Sequence, residues 1–343
     1  MDFPSRLKEI RSIVWEEIRS YLPKCKDEYS RLIWEYPKRQ GKYLRPGLIV
    51  LSAEMYGGLQ KKALLTAAAI QMSEEWLLIH DDFEDHSEER RSTKEEKRLT
   101  LSKICGDEIA VNTGDALHTI MWKVAGDIAQ GFKDQRGWDI FNKLNEIILI
   151  TTKGQFEELL WIRNKRIDIS EKEYLEMIYK KTACYTIIGP LQLGAIIAGV
   201  KSSEELNKIE RWGKWLGYGF QITDDVINLT SEEAKQGKEM GGDILEGKRT
   251  MILIHLLQHC GSKEKGQIHE IYNKPRKDKT ESEKKYVIDL MNKYGSINYS
   301  KKKAEKYFQK AQEIFDKNTI NLPGQEAKEL IKECMVFIKN RVG

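Results

Sequence analysis

The chain has 343 residues, of which 40% are hydrophobic, which is enough for one large or two ordinary domains with a substantial core. Its formal net charge of only +4 excludes nucleic-acid binding driven by bulk charge. The five cysteines are scattered and form no CxxC pair, which predicts free thiols in a reducing cytoplasm. The N-terminus has no apolar signal core, and the weakly polar stretch 186–200 is too short to span a bilayer. We therefore expect a cytoplasmic protein without a transmembrane segment.

Helices dominate the predicted secondary structure, because prolines are few and apolar residues recur at helical spacings without alternating strand patterns. Residues 1–36 predict one or two amphipathic helices, residues 262–285 a charged connection, and residues 286–342 two closing helices. The other predicted helices are 48–56, 63–79, 114–125, 141–161, 174–198, 206–229 and 251–257. No domain boundary is evident, so we expect residues 1–343 to form a single all-α domain.

A first acidic motif, His80 to Asp85, follows the apolar run 63–79. Residues four apart share a helical face, so Asp81 and Asp85 direct two carboxylates toward one point. Mg²⁺ is often held by one or two carboxylates together with substrate phosphates. Taken alone, a solvated acidic helix end is the simpler interpretation of this stretch.

A second acidic pair, Asp224-Asp225, also follows an apolar helical run, which favours a metal site over a solvated helix end. Two such pairs on facing helices of a bundle can hold a diphosphate through several Mg²⁺ ions. The candidate metal residues are therefore Asp81, Asp82, Asp85, Asp224 and Asp225.

Basic residues supply the matching charge. Lys42 and Arg45 flank a turn after a glycine and share a face if the segment is helical, although a solvated basic turn is the alternative. Lys181 lies in an apolar helix, where it needs an anionic partner unless it extends to the surface. The remaining candidate cations are Arg90, Arg91, Lys238 and Lys248. Lys238 and Lys248 belong to a glycine-rich stretch that resembles a flap or an ordinary loop.

The order of these motifs is specific: GKxxRP, DDxxD followed by two arginines, GQ, KT, FQxxDD and a late GK. It resembles the trans-isoprenyl diphosphate synthases over nearly the whole chain, and most closely those of the archaeal geranylgeranyl diphosphate synthase type. The resemblance implies a single-domain antiparallel helix bundle with a central apolar cavity, usually a homodimer. It also implies Mg²⁺-assisted condensation of isopentenyl diphosphate with an allylic diphosphate.

The resemblance further assigns roles to individual residues. Asp81 and Asp85 match aspartates that hold two Mg²⁺ ions, and Asp224 matches one that holds a third. Thr182 and Gln221 match residues that lie against the forming carbocation. By the same resemblance, the allylic diphosphate is held by Arg90, Lys181 and Lys238, isopentenyl diphosphate by Lys42, Arg45 and Arg91, and the late Lys248 helps to close the site.

Three positions depart from the family pattern. Glu74 replaces a residue that is usually His or Gln and helps to bind isopentenyl diphosphate. We expect Glu74 to pair with Lys42 or Arg45 and to weaken the binding of that anion. Ser92 replaces a glycine before a loop that is longer than in the family pattern, whereas Asn228 replaces the last aspartate of the second motif, as in close relatives.

Product length is predicted from Trp76, which lies five residues before Asp81 and therefore about 7.5 Å deeper along a helix. A rigid tryptophan followed by Leu77 can form the floor of a cavity, although it can also be ordinary core. An aromatic residue at this position alone resembles producers of the twenty-carbon geranylgeranyl diphosphate. The alternatives are a farnesyl diphosphate synthase, a terpene synthase on the same scaffold, and a non-catalytic partner subunit.

Overall fold

The computed structural model describes residues 1–93, 96–230 and 240–340. Within these ranges the regular structure is helical, apart from one isolated β-bridge between Glu89 and Leu99. The predicted all-α class is thereby confirmed, and the helices form one bundle.

The N-terminal part of the bundle carries most of the predicted helices. Its helices are α1 (Phe3–Tyr21), α2 (Glu28–Lys38), α3 (Leu44–Met55), α4 (Gln60–Glu84), α5 (Leu101–Cys105), α6 (Asp107–Gly131), α7 (Arg136–Arg163), α8 (Glu171–Ile178), a π-helix (Tyr179–Ile188), α9 (Gly189–Ala198) and α10 (Ser203–Thr230). The later elements are α11 (Gly242–Glu246), α12 (Met251–His259), α13 (Ser262–Asn273), a 3₁₀ turn (Arg276–Asp278), α14 (Glu281–Lys293), α15 (Ser296–Asn318) and α16 (Gln325–Lys339).

Local sequence signals explain where several helices begin. Asp2 caps α1 by accepting a hydrogen bond from the backbone amide of Ser5 at 2.9 Å. Ser170 and Glu173 form a reciprocal capping box at the start of α8. Side-chain caps of this kind satisfy backbone donors that have no partner in the first turn of a helix.

Apolar packing divides into a main core and a smaller one. In the main core, α4 packs between α3 and α6, and α10 packs against α15 and the π-helix. The smaller core joins α12, α13 and α14 around residues such as Leu256, Ile268 and Val287. The long helices α4 and α10, which carry the acidic motifs, are therefore fixed by burial along most of their length.

The C-terminal third corrects two predictions and confirms a third. Residues 262–285 are not a connection, because they contain α13 and the start of α14, and three helices rather than two close the chain after residue 281. Ile268, Ile271 and Tyr272 bury one face of α13, a short apolar stripe that surrounding charges obscure in the sequence. The predicted stripe of α16 is buried as expected: Ala327, Ile331, Cys334 and Ile338.

In the part of the chain that the structure describes, no helix combines the length and the apolar character needed to cross a membrane. The five cysteines all lie in described residues and are unpaired, as predicted.

Candidate active site

The first acidic motif forms the C-terminal end of α4. Asp85 is the residue that follows the helix, and its backbone amide donates to the carbonyl oxygen of Asp81 at 2.9 Å. The predicted separation of one helical turn between these two carboxylates is therefore present. Asp81 faces three donors: Arg90 Nη2 at 3.0 Å, Gln155 Nε2 at 3.4 Å and Lys181 Nζ at 3.7 Å.

Asp82 has a different environment from its neighbours, because its side chain is only 1% exposed. The hydroxyl of Tyr36 donates to Asp82 Oδ2 at 2.5 Å, and Arg90 Nε donates to Oδ1 at 2.8 Å. Both carboxylate oxygens are thus engaged by protein donors. In this structure Asp82 fixes the orientation of Arg90, which in turn reaches Asp81.

Asp85 is nearly buried and pairs with Lys248, whose Nζ lies 2.8 Å from Oδ2. Burial raises the pKa of Asp85 to about 7, although Lys248 opposes that shift. Lys248 also lies 2.7 Å from Glu246 Oε2, and Glu246 is anchored by Arg276 at 3.3 Å and Ser87 at 3.2 Å. Lys248, the lysine of the late GK motif, therefore contacts the first acidic motif in this structure.

The π-helix carries Lys181 and Thr182, and its wide turn is of a kind often found at functional sites. Gly154 allows α7 to approach it, because a Cβ at that position would lie 2.5 Å from the backbone nitrogen of Lys181. Lys181 Nζ pairs with Glu158 Oε2 at 2.5 Å. Burial lowers the pKa of Lys181, but Glu158 and Asp81 outweigh it and raise the pKa above its ordinary value.

The second acidic motif is connected to the π-helix by a chain of hydrogen bonds. Thr182 Oγ1 donates to Gln221 Oε1 at 2.7 Å, and Gln221 Nε2 donates to Asp225 Oδ1 at 2.8 Å. The hydroxyl of Tyr174 donates to Asp225 Oδ2 at 2.7 Å. Burial nevertheless raises the pKa of Asp225 to about 7. Asp224 precedes Asp225 on α10. Of two consecutive residues of the π-helix, Lys181 therefore contacts Asp81 directly, whereas Thr182 reaches Asp225 only through Gln221.

The condition under which Lys42 and Arg45 would share a helical face is not met, because Lys42 precedes the helix. Helix α3 begins only at Leu44, and Tyr43 before it has a left-handed backbone with φ of 57°. Arg45 lies in the first turn, donates to Thr186 Oγ1 at 2.9 Å and stacks 4.4 Å from the centre of the Tyr185 ring. A left-handed residue at a buried position is a form of backbone strain that clusters at functional sites.

Glu74 pairs with one of its two predicted partners, since its Oε2 lies 2.8 Å from Arg45 Nη1. Its Oε1 lies 3.4 Å from Arg91 Nη2. Burial raises the pKa of Glu74, but the two arginines outweigh that effect and lower it below its ordinary value. The carboxylate is therefore ionised near neutral pH.

Trp76 and Leu77 lie on different faces of α4. The Trp76 ring is 6% exposed and packs 4.7 Å from the His118 ring on α6. Ser73 contacts the Tyr185 hydroxyl at 2.9 Å, and Asp81 contacts the π-helix through Lys181. Leu77 is four residues from each of them and thus lies on the face directed toward the π-helix. The predicted role of Trp76 as a floor, and the central apolar cavity, stay predictions.

Several residues of the site were missed by sequence reasoning. They are Tyr36, Glu75, Glu158, Tyr174 and Tyr185. The only signal for such residues is a polar atom on the buried face of a helix, which burial obliges to find a partner. Lys238, in contrast, was predicted but lies outside the described residues.

The described carboxylates suit Mg²⁺ shared with a phosphate ligand. Among residues 1–93, 96–230 and 240–340, no three His, Cys, Asp or Glu side chains converge as a complete metal site. Each acidic motif instead presents carboxylates beside cations and amide donors, and Mg²⁺ commonly takes only one or two carboxylates together with substrate phosphates. The donor set fits a metal that arrives with a diphosphate.

Comparisons with known proteins agree with this geometry. A family model described as polyprenyl synthetase matches residues 26–291. The geranylgeranyl diphosphate synthase of Sulfolobus acidocaldarius is 30% identical over 332 residues, covering 96% of each chain. The geranylfarnesyl diphosphate synthase of Aeropyrum pernix is 29% identical and covers 89% of this chain and 92% of its own.

A solved structure points the same way. The geranylgeranyl pyrophosphate synthetase of Pyrococcus horikoshii has a TM-score of 0.83 with this chain at 29% identity, covering 99% of this chain and 98% of its own. The fold, the order of the motifs and these matches agree over nearly the whole length. The chain belongs to the polyprenyl synthetase family and is a prenyltransferase.

Proposed function

We propose that this enzyme condenses isopentenyl diphosphate with allylic diphosphates and that geranylgeranyl diphosphate is its main product. The observation that supports the proposal is that two consecutive residues lead to both acidic motifs: Lys181 lies 3.7 Å from Asp81, and Thr182 reaches Asp225 through Gln221. This arrangement supports the orientation of two anionic substrates against each other, which lowers the entropic barrier to carbon–carbon bond formation.

Each group of residues has a proposed task. Asp81, Asp85 and Asp224 would hold three Mg²⁺ ions, and bound Mg²⁺ stabilises the negative charge that develops on a departing diphosphate. Arg90, Lys181 and Lys238 bind the allylic diphosphate, and Thr182 and Gln221 direct dipoles at the developing allylic cation. Asp82 and Asp225, which the sequence also suggested as metal residues, are proposed instead to orient Arg90 and Gln221, because their carboxylate oxygens accept hydrogen bonds from protein donors.

One assay separates this function from its alternatives. Purified protein is incubated with Mg²⁺, labelled isopentenyl diphosphate and allylic acceptors, and the dephosphorylated products are separated by chromatography. We expect a twenty-carbon prenyl alcohol as the main product. A fifteen-carbon alcohol would indicate a farnesyl diphosphate synthase, and a cyclic or unextended hydrocarbon a terpene synthase. An absence of products would indicate a non-catalytic subunit.

Product length is expected to depend on Trp76. Trp76→Ala should open space next to α6 and shift the distribution toward longer chains, since Met72 one turn deeper is less obstructive. The same chromatography measures the shift, with Leu77→Ala as the matched variant on the neighbouring face. An unshifted distribution for Trp76→Ala together with longer products for Leu77→Ala would place the floor on the face of Asp81.

The enzyme is also proposed to be a homodimer in the cytoplasm, with residues 1–343 as one catalytic domain. Leu149 and Phe156 on α7 are 67% and 62% exposed, and Leu160 continues the same face. A row of exposed apolar side chains supports contact with a second copy. Light scattering on the purified protein tests the dimer, and we expect twice the mass of the monomer. The unpaired cysteines support a reducing compartment.

A further inference from the structure

Four charged side chains meet where α3, α4 and the segment after α4 converge, and we call them the arginine–glutamate cluster. Its members are Arg45, Glu74, Glu75 and Arg91. The two arginines are those to which the family resemblance assigns the binding of isopentenyl diphosphate, and we propose the same role for them here. The two glutamates compensate both positive charges, so a diphosphate would approach a neutral cluster.

The two glutamates hold their partners in different ways. Glu75 is 1% exposed, and its two oxygens accept from Arg91 Nη1 at 2.8 Å and Nη2 at 3.2 Å. Gln71 Nε2 donates to Glu75 Oε1 at 2.7 Å, which fixes the carboxylate from behind. Planar two-point contacts between a guanidinium and a carboxylate define orientation as well as attraction.

Glu74 reaches both arginines, but only through one contact to each. It lies 2.8 Å from Arg45 and 3.4 Å from Arg91, and its side chain is 16% exposed. Arg45 and Arg91 are similarly accessible, at 18% and 15%. The accessible side of the cluster therefore consists of Glu74 and the arginine edges it contacts, whereas Glu75 lies behind them.

The backbone holds Arg91 in the same position. Arg91 has φ of 57°, and a Cβ added to Gly41 would lie 2.9 Å from Arg91 Nη2. Arg91 Nη1 also donates to the carbonyl of Tyr36 at 3.3 Å. A guanidinium that is fixed on several sides keeps its remaining donors directed at one place.

We infer that Glu75 is a positioning residue that holds Arg91 for isopentenyl diphosphate, whereas Glu74 is an internal competitor that the incoming diphosphate must displace. The inference rests on the proposed function and deepens it. A diphosphate that replaces Glu74 gains contacts to Arg45 and Arg91 but must first break two ion pairs. Loss of the Glu75 charge would instead leave Arg91 without its orienting partner.

Two chemically identical substitutions in neighbouring residues should therefore have opposite effects. Glu74→Gln is expected to lower the KM for isopentenyl diphosphate several-fold, because the competing charge is gone. Glu75→Gln is expected to raise it by about tenfold, because a charged two-point contact is lost. In both variants the KM for the allylic substrate should stay nearly fixed. Glu54→Gln is the matched control, because Glu54 lies elsewhere on α3 and pairs with Arg6 of α1 rather than with a member of the cluster.

Steady-state kinetics give both KM values, and calorimetry with isopentenyl diphosphate and with inorganic pyrophosphate gives the dissociation constants directly. Shifts of the same sign in Glu74→Gln and Glu75→Gln would overturn the inference, as would equal shifts in both KM values. Should Glu75→Gln fail to fold, Glu75→Asp retains the charge but withdraws it from Arg91. Weaker binding by Glu75→Asp would support the inference, and unchanged binding would overturn it.

The proposed function can fail separately. Opposite shifts in the dissociation constants without any prenyl transfer would support the assignment of the cluster and reject the proposed reaction. Prenyl transfer together with shifts of the same sign would support the proposed reaction and reject the assignment of the cluster.

Discussion

The two acidic helix ends carry similar sequence motifs but are stabilised by different chemistry. At the end of α4, Asp81 and Asp85 face cations, namely Arg90 at 3.0 Å and Lys248 at 2.8 Å. On α10, Asp225 accepts hydrogen bonds from neutral donors, Tyr174 and Gln221. In the first motif Asp81 and Asp85 are compensated by charge, whereas Asp225 of the second motif is stabilised by dipoles.

This difference affects protonation and stability in distinct ways. Cations such as Lys248 compensate the first motif, so removing one of them leaves buried negative charge without a partner. Neutral donors lower the pKa of Asp225 only in part, and burial still raises it to about 7. A repeated motif in the sequence therefore does not imply a repeated electrostatic environment.

The largest expected effect is the loss of turnover when a proposed metal-binding carboxylate is removed from either motif. Asp81→Ala and Asp224→Ala should each lower turnover by at least about 100-fold, because each removes a carboxylate proposed to stabilise charge during ionisation. Steady-state assays with Mg²⁺ measure it, with the exposed Asp289→Ala as control. Full activity of Asp81→Ala, or activity undiminished by EDTA, would contradict the proposed metal site.

The next prediction concerns the charged end. Lys248→Met should destabilise the metal-free protein by about 3–5 kcal/mol, because Asp85 and Glu246 lose a buried cation. Lys180→Met removes a lysine paired with Glu157 at 2.6 Å with both side chains about a quarter exposed, and should cost about 0–1 kcal/mol. Urea unfolding at pH 8 measures both. Equal losses would show that the charge of Lys248 does not stabilise this end.

The smallest effect concerns the dipolar end and depends on pH. Burial raises the pKa of Asp225 from 3.8 to about 7. The protonated carboxyl group therefore makes its full contribution to the free energy of unfolding below pH 3.8, and this contribution is lost as the pH rises through 7. Tyr174→Phe removes a donor to the ionised carboxylate and raises this pKa further. Its cost should therefore grow across pH 7, to about 1–3 kcal/mol at pH 8.

Urea unfolding at pH 6 and pH 8 provides the measurement for Tyr174→Phe. Tyr179→Phe, which removes a hydroxyl bonded to Glu210 at a half-buried position, is the matched control and should show little dependence on pH. A cost of Tyr174→Phe that is the same at both pH values would contradict the assignment of the titrating group to Asp225.

Much of the fold was predictable because helix formation depends on local spacing. The one-turn separation of Asp81 and Asp85 and the apolar stripe of α16 follow from residues close in sequence. Helix α13 was missed because its few buried residues acquire their role only from the smaller core they contact. Whether Lys42 belongs to a helix was left open by the sequence, and the structure places it before α3, where Tyr43 has a left-handed backbone.

The sequence by itself determined the helical class, the family and the identity of the acidic and basic residues, since these depend on residue type and order. Only the tertiary structure decided which partner each charge has. Asp82 is enclosed by Tyr36 and Arg90, and Glu75 rather than Glu74 holds Arg91 with two contacts. The physical reason is that ion pairs and buried hydrogen bonds depend on distances of a few ångströms between residues far apart in the chain, which the helix-by-helix pattern does not encode.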